Sequence, residues 1–281
     1  MEYKWRCLIA VCFGTFMATM DFSIVNVALP TLSREFDKPP DTVVWVALAS
    51  SLMVTGITLT AGRIGDLYGR KRVYITGWVI FTVGMLVASF AQTIEQLIAF
   101  RFFQAIGVAL AIANGNAIVT EAFPPEQRGQ ALGTTGSVVG AGLMTGPIVG
   151  GLILEGLSWQ AIFYLRAPIG LIAMTLAFLF IRPSAPSSEL TSRKVDIPGA
   201  ITLFATLSGA LLAVNRGRPG LGFAGYSRAV RVLRLRARQL PARGVTRREP
   251  GDCLGLFKVR SYAVGVSSLA LNFAGSLPSR S

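Results

Sequence analysis

The sequence reads as long apolar runs separated by short polar breaks. Seven runs have the length and character of bilayer-crossing helices, which need about 20 predominantly apolar residues each. They lie near residues 7–30, 43–62, 73–92, 97–121, 130–154, 161–181 and 198–214. The breaks are short, as expected where consecutive helices are antiparallel neighbours. This pattern predicts an all-α polytopic membrane protein. The first run follows Lys4 and Arg6 as the apolar part of a leader would, yet it is too long, holds Asp21 and runs directly into further spans. It is therefore read as a span.

Composition agrees with that reading. Mean hydropathy is +0.55 and 15% of residues are charged, against about 25% in a soluble domain. The chain has no His, which rules out His-based triads and His metal sites. Cys7, Cys12 and Cys253 lack ligand-like or C-x-x-C spacing, so they are read as small apolar residues. Nothing resembles a nucleophile with its base, a phosphate loop or a metal cluster. No enzymatic activity, metal or cofactor is expected.

The net charge of +13 is unevenly spread. Residues 1–215 carry 14 Lys/Arg against 12 Asp/Glu, a balance of +2, and residues 216–281 carry 13 against 2, a balance of +11. Within the first part, cations retained on the cytoplasmic side set the orientation. With the N-terminus inside, that side holds Lys4, Arg6, Arg63, Arg70, Lys71, Arg72, Arg128, Arg182, Arg193 and Lys194, and the opposite side holds Arg34 and Lys38. The expected N-terminus is cytoplasmic, and GRIGDLYGRKR at 62–72 is expected as a cytoplasmic loop.

Charge also falls inside the runs, most notably at two positions. Asp21 lies in MDFSIVNVALP and Arg101 in LIAFRFFQAIG. Each costs about 2.5–3.5 kcal/mol at a bilayer centre on insertion scales, so each needs a partner or a watery cavity. They form either a structural ion pair or a functional site. Gln104, Asn26, Asn114 and Asn116 would line the same cavity or bond neighbouring helices together. The fifth run holds Gly133, Gly136, Gly140, Gly142, Gly146, Gly150 and Gly151, with Pro147 interrupting the backbone ladder. Glycines four apart leave a bare strip for close helix approach, and the proline supplies a bending point. The first and second triplets of runs also show faint signs of a repeated unit, as transporters often do.

These stretches resemble the major facilitator superfamily, and within it the fourteen-helix drug:proton antiporters of the EmrB/QacA type. GRIGDLYGRKR is similar to the superfamily's motif between helices two and three at Gly62, Gly65, Asp66, Gly69, Arg70 and Lys71, with Leu67 where Arg is usual. LIAFRFFQAIG is similar to the fourth-helix proton-coupling motif at Arg101, Gln104 and Gly107, with Ala105 for a customary Gly. GLMTGPIVGG matches the fifth-helix antiporter motif at Gly142, Gly146, Pro147, Gly150 and Gly151. MDFSIVNVALP matches the first-helix motif of the drug exporters at Asp21, Asn26, Ala28 and Pro30.

The resemblance covers about residues 7–215. It implies an N-terminal six-helix bundle over 1–182, a cytoplasmic loop over 183–197 and a seventh, linker-type helix over 198–215. The activity it implies for intact relatives is proton-coupled efflux of small lipophilic or cationic drugs across the cell (plasma or inner) membrane. Asp21 would bind a proton or a cationic substrate, Arg101 would bias its protonation, and Asn26 and Gln104 would lie beside them. Gly142 to Gly151 would seal the bundle, and Asp66 with Arg70 would latch the cytoplasmic face. The lipid bilayer, protons and substrate are then the expected partners. A second bundle is missing from the pattern, so the chain is expected to be an incomplete, transport-inactive form.

Residues 216–253 break the pattern. Their ten arginines forbid a span, yet LGLFKVRSYAVGVSSLALNFAG at 254–275 again resembles a family segment. Within 254–281 a short basic linker precedes an apolar run of marginal length. A shifted reading frame in a GC-rich gene accounts for an Arg-, Pro-, Ala- and Gly-rich insert. The other class of explanation is a membrane module or anchor whose basic arm binds anionic lipid, at about 1 kcal/mol per cation near the surface. Nucleic acid is not an expected partner, since no recognition motif accompanies the charge. Translation of the gene in its other two frames is expected to reveal an apolar span in place of 216–253. Two polar frames would remove the frameshift reading.

Overall fold

A computed structural model describes residues 2–183 of the chain, the side chain of Leu59 excepted. The seventh run, the Arg-rich segment and the C-terminal apolar run lie outside the described residues. Among the described residues every regular element is helical, and six helices are long and apolar enough to cross a membrane.

The first span is Tyr3–Glu35, a single helix of 33 residues. It stops where Asp37 takes a left-handed conformation, φ 48°, a region that short polar side chains tolerate. After a turn of helix at Pro40–Val43, the second span is Trp45–Tyr68 and the third is Arg70–Ala88. One residue separates them. Gly69 has φ 93° and ψ 123°, which lets the chain reverse direction without a loop because glycine carries no Cβ to clash.

This corrects the reading of GRIGDLYGRKR as a loop. Residues 62–68 finish the second helix and 70–72 begin the third. Charge marked the end of the apolar run, but backbone hydrogen bonding continues past it wherever side chains can reach water.

The fourth span, Ile94–Ala122, starts on Thr93, whose side chain accepts a hydrogen bond from the Gln96 amide at 3.3 Å. Such a cap satisfies one of the orphan donors of the first turn. The fifth span, Arg128–Gly156, continues through Pro147 as one helix. The run at 161–181 departs from expectation. It divides into Ala161–Tyr164 and Ala167–Phe180, with Arg166 between them and Pro168 in the first turn of the second piece. Proline there costs no hydrogen bond, since its missing N–H would be an orphan anyway.

The fourth span is the centre of the packing and lies against the second and third, while the first lies mainly against the fifth. At the crossing of spans three and four the backbones almost touch. A Cβ at Gly77 would sit 2.7 Å from the Gly107 carbonyl oxygen and 2.9 Å from the Ala111 amide. Close approach through small residues is how helices associate where lipid tails remove the hydrophobic drive.

Of three apolar clusters among the described residues, two are large. One joins Cys7, Val11 and Met17 to Tyr74, Trp78, Phe81 and Met85, and the other joins Ile24, Val25 and Leu32 to Ile94, Leu97, Trp159 and Phe163. Asp21 falls between them along the first span. Many large apolar side chains face outward, including Leu143, Met144, Ile148 and Leu152 on the fifth span.

The Gly77–Gly107 contact generates a prediction. Gly107→Leu is expected to lower the bundle's resistance to unfolding by about 1–3 kcal/mol, the usual cost of overpacking. Gly133→Leu, where a Cβ meets nothing within 4 Å, is expected to change it little. Unfolding titrations in mixed micelles compare the two, and equal losses would contradict the packing account.

Candidate functional site

A buried polar cluster joins three spans. Asp21 contributes the carboxylate from the middle of the first. Arg101 and Gln104 come from the fourth, three residues apart and so on one helix face. Arg166 comes from the break before Ala167. Arg101 Nη1 donates to both carboxylate oxygens, at 2.9 and 3.1 Å. Arg166 Nη1 donates to Asp21 Oδ1 at 2.7 Å, and Gln104 Nε2 donates to the same oxygen at 3.2 Å. The Gln104 carbonyl oxygen in turn accepts from Arg101 Nη1 at 2.6 Å.

All four residues are at most 2% exposed. The Phe163 ring lies 6.0 Å from the Arg101 guanidinium and 5.8 Å from that of Arg166, close enough for cation–π attraction. Arg166 Nε reaches back to the Ile162 carbonyl, which the helix break leaves available. With Asp21 ionised the cluster carries two cations and one anion. Arg101 Nε and Arg166 Nη2 are buried without a hydrogen-bond partner among the described residues.

Arg166 was absent from the sequence expectations. Its signal was the same as that of Arg101, a guanidinium within an apolar run, followed here by Pro168 as a mark of a helix start. Asn26 stands apart from the cluster. Its side chain is exposed and donates to the Phe22 carbonyl of its own helix at 2.9 Å. Asn114 ties the fourth span to the second through the Ala61 carbonyl, at 3.1 Å, and Asn116 is exposed.

The residues at 62–71 form a second group. Arg70 bonds Asp66 one turn earlier, at 3.1 and 3.2 Å, and Glu121 of the fourth span at 3.3 Å. Lys71 Nζ donates to the Phe178 carbonyl at 2.8 Å, at the end of the sixth span, where a cation also suits the helix dipole. Gly65 lies under the Asn114 side chain, with no room for a Cβ, whereas Gly62 faces open space. Being partly exposed, these ion pairs contribute little to stability, on the order of 0–1 kcal/mol each.

The fifth-span glycines divide by face. Gly142, Gly146 and Gly150 lie against Thr19, Ser23 and Ile24 of the first span, and the Ser23 hydroxyl donates to the Gly142 carbonyl at 3.2 Å. Pro147 and Gly151 are on other faces. Pro147 is exposed, and a Cβ on Gly151 would meet nothing within 4 Å. No group of three or more His, Cys, Asp or Glu able to hold a metal occurs among the described residues.

The charge inventory predicts non-additive mutations. Asp21→Asn strands two buried guanidiniums and is expected to destabilise the bundle by about 3–5 kcal/mol, as breaking a buried pair does. Adding Arg166→Met to Asp21→Asn is expected to recover part of that loss. A double-mutant cycle measured by unfolding in micelles tests this. Simple additivity of the two changes would show that the residues are not coupled.

Comparison with known proteins places this arrangement. The chain is 37% identical over 265 residues to riboflavin transporter RibZ of Clostridioides difficile (strain 630), covering 94% of this chain and 57% of that protein. It is 30% identical over 269 residues to multidrug resistance protein Stp of Mycobacterium tuberculosis (strain CDC 1551 / Oshkosh), covering 95% of this chain and 49% of that one. The chain thus spans about half the length of the curated relatives it matches. Among solved structures it resembles a bacterial homolog of the human lysosomal transporter Spinster, with a TM-score of 0.58 and 18% identity over 76% of this chain and 53% of that one. That likeness speaks to fold. Residues 11–273 match the Major Facilitator Superfamily, and with a bundle of six helices able to cross a membrane, the chain is a multi-pass membrane protein that belongs to this superfamily of transporters.

Proposed function

We propose that this chain forms the first bundle of a proton-coupled exporter of the fourteen-helix drug-antiporter type, moving small lipophilic or cationic compounds out across the plasma or inner membrane. Its N-terminus is cytoplasmic. The observation that carries the reading is Asp21, a carboxylate buried within a span and held by Arg101, Gln104 and Arg166 from two other segments. Such a residue is functional by default, because a charge there is costly to keep. A carboxylate linking three helices also gives a proton leverage over helix positions, since protonating it removes the shared acceptor.

In this scheme the Gly142, Gly146 and Gly150 strip keeps spans one and five tightly joined, while Pro147 and Gly151 face away from that seam. Asp66, Arg70 and Glu121 hold the cytoplasmic ends of spans two to four. Alternating access rocks two bundles about a midplane site, so these 281 residues alone do not complete a transport cycle. Relatives named as drug-resistance proteins support the substrate class, and the four ordered motifs support the antiporter subfamily.

Membrane vesicles provide the test, with ethidium as the lipophilic cation. Vesicles carrying the 281-residue chain are expected to show no flux driven by a proton gradient. The same chain joined to the second bundle of a multidrug relative is expected to show it, and Asp21→Asn is expected to remove it. Gradient-driven flux from the 281 residues alone, lost in Asp21→Asn, would overturn the one-bundle reading. A folded two-bundle protein without flux would overturn the export reading.

A further inference from the structure

The Asp21 cluster holds more positive charge than its own carboxylate can balance. Asp21, Arg101 and Arg166 are the only Asp, Glu, Lys or Arg side chains buried among the described residues, so no other charge from spans two, three or five enters the site. Two guanidiniums share one carboxylate, and their Nη1 atoms meet on a single oxygen, Oδ1, at 3.1 and 2.7 Å. Arg166 is also the N-cap of Ala167–Phe180, so the positive end of that helix dipole adds to the excess.

Donors outnumber acceptors as well. Arg101 Nε and Arg166 Nη2 are buried with no hydrogen-bond partner among the described residues. The other nitrogens of Arg166 are committed, Nε to the Ile162 carbonyl and Nη1 to Asp21. The Gln104 carbonyl oxygen already accepts from Arg101 Nη1. The Phe163 ring, 6.0 Å from one guanidinium and 5.8 Å from the other, offers a π face and no oxygen or nitrogen acceptor. Protonation of Asp21 enlarges both imbalances. The neutral acid gains an O–H donor, and two like charges remain in a site whose four side chains are at most 2% exposed.

A monovalent anion corrects both at once, because a proton and an anion taken up together leave the net charge of the cluster where it was, and the anion accepts N–H bonds. We propose that Arg101 and Arg166 form a proton-dependent halide site, in which a chloride-sized anion takes over from the Asp21 carboxylate when that group is protonated. A small sphere suits the place better than an organic carboxylate. The donors belong to two residues on different spans rather than to one planar fork, and the burial of all four side chains limits the room. Linkage makes the effect reciprocal, so that halide favours the proton by the same factor as the proton favours halide. The inference deepens the export reading, on which it rests for the protonation of Asp21 during transport, by pairing that proton with an anion.

The test uses the full chain in phosphatidylcholine nanodiscs, with sodium chloride exchanged stepwise for sodium gluconate at constant ionic strength. Line broadening in chlorine NMR reads the bound halide, and sodium bromide is expected to compete it away. In the unaltered chain the broadening is expected to saturate, with an affinity at least about tenfold higher in acidic than in alkaline buffer. Arg166→Met leaves Asp21 and Arg101 balanced one to one, and is expected to lose the acid-dependent part while its helical circular dichroism is retained. Asp21→Asn, which keeps the side chain neutral, is expected to bind chloride equally at both acidities, and its thermal unfolding midpoint is expected to rise with chloride but not with gluconate. Equal affinity of the unaltered chain in acid and alkali would overturn the proposal, whatever the two variants do. So would acid-dependent broadening that survives Arg166→Met, since the halide would then sit on surface cations. No proton gradient enters this measurement, so failure of the export reading would leave the halide site standing, and failure of the halide site would leave export untouched.

Discussion

A carboxylate halfway along an apolar helix has no water to solvate it, so its partners decide where neighbouring helices can sit. Asp21 draws Arg101 and Gln104 from the fourth span and Arg166 from the start of the sixth. Their hydrogen bonds fix the first, fourth and sixth spans relative to one another at one level of the bundle. The apolar clusters on either side can then pack by contact alone, which in a membrane depends on shape more than on exclusion from water. Small residues set the other distances. Gly77 and Gly107 bring spans three and four together, and the strip from Gly142 to Gly150 does the same for spans one and five.

The sequence reveals what a local rule can detect. Six apolar runs became six spans because length and hydropathy are properties of the chain itself. Asp21, Arg101 and Gln104 stood out because polar groups inside such runs are costly. Arg166 obeys the same rule within the sixth run, and the helix break that lets it turn toward Asp21 is signalled only by Pro168. The breadth of the polar segment at 62–72 hid a one-residue turn at Gly69, since a helix end can be charged without unwinding. Side-chain direction was not legible either. Asn26 lies five residues from Asp21, well over one turn away, and points to a different face, a distinction fixed only once neighbours are in place.

The partner of Asp66 illustrates the same limit at the bundle's end. Sequence places Arg70 one turn away, and that pairing follows from helical spacing alone. Glu121, which shares Arg70, is 51 residues distant, and no spacing rule connects them. Yet that long-range contact gives the group its reach, because it couples the junction of spans two and three to the end of span four. A change in charge at any one of the three alters the hydrogen bonding of the other two.

Charge balance limits how the proposed coupling can work. With Asp21 ionised, two guanidiniums share one carboxylate, and Phe163 lies near both. A proton on Asp21 would leave two like charges facing each other across a site that is at most 2% exposed in all four residues. In the proposed cycle, protonation would remove the acceptor that Arg101 and Arg166 share and favour movement of Arg166 or entry of an anion or water. Arg166 is the mobile candidate on structural grounds. It occupies a break between two helical pieces, where a small change in backbone angle redirects the side chain without unwinding a full turn, whereas Arg101 lies inside the unbroken helix Ile94–Ala122. In the proposed proton-driven cycle, release of Arg166 from Asp21 would uncouple the sixth span from the first and fourth.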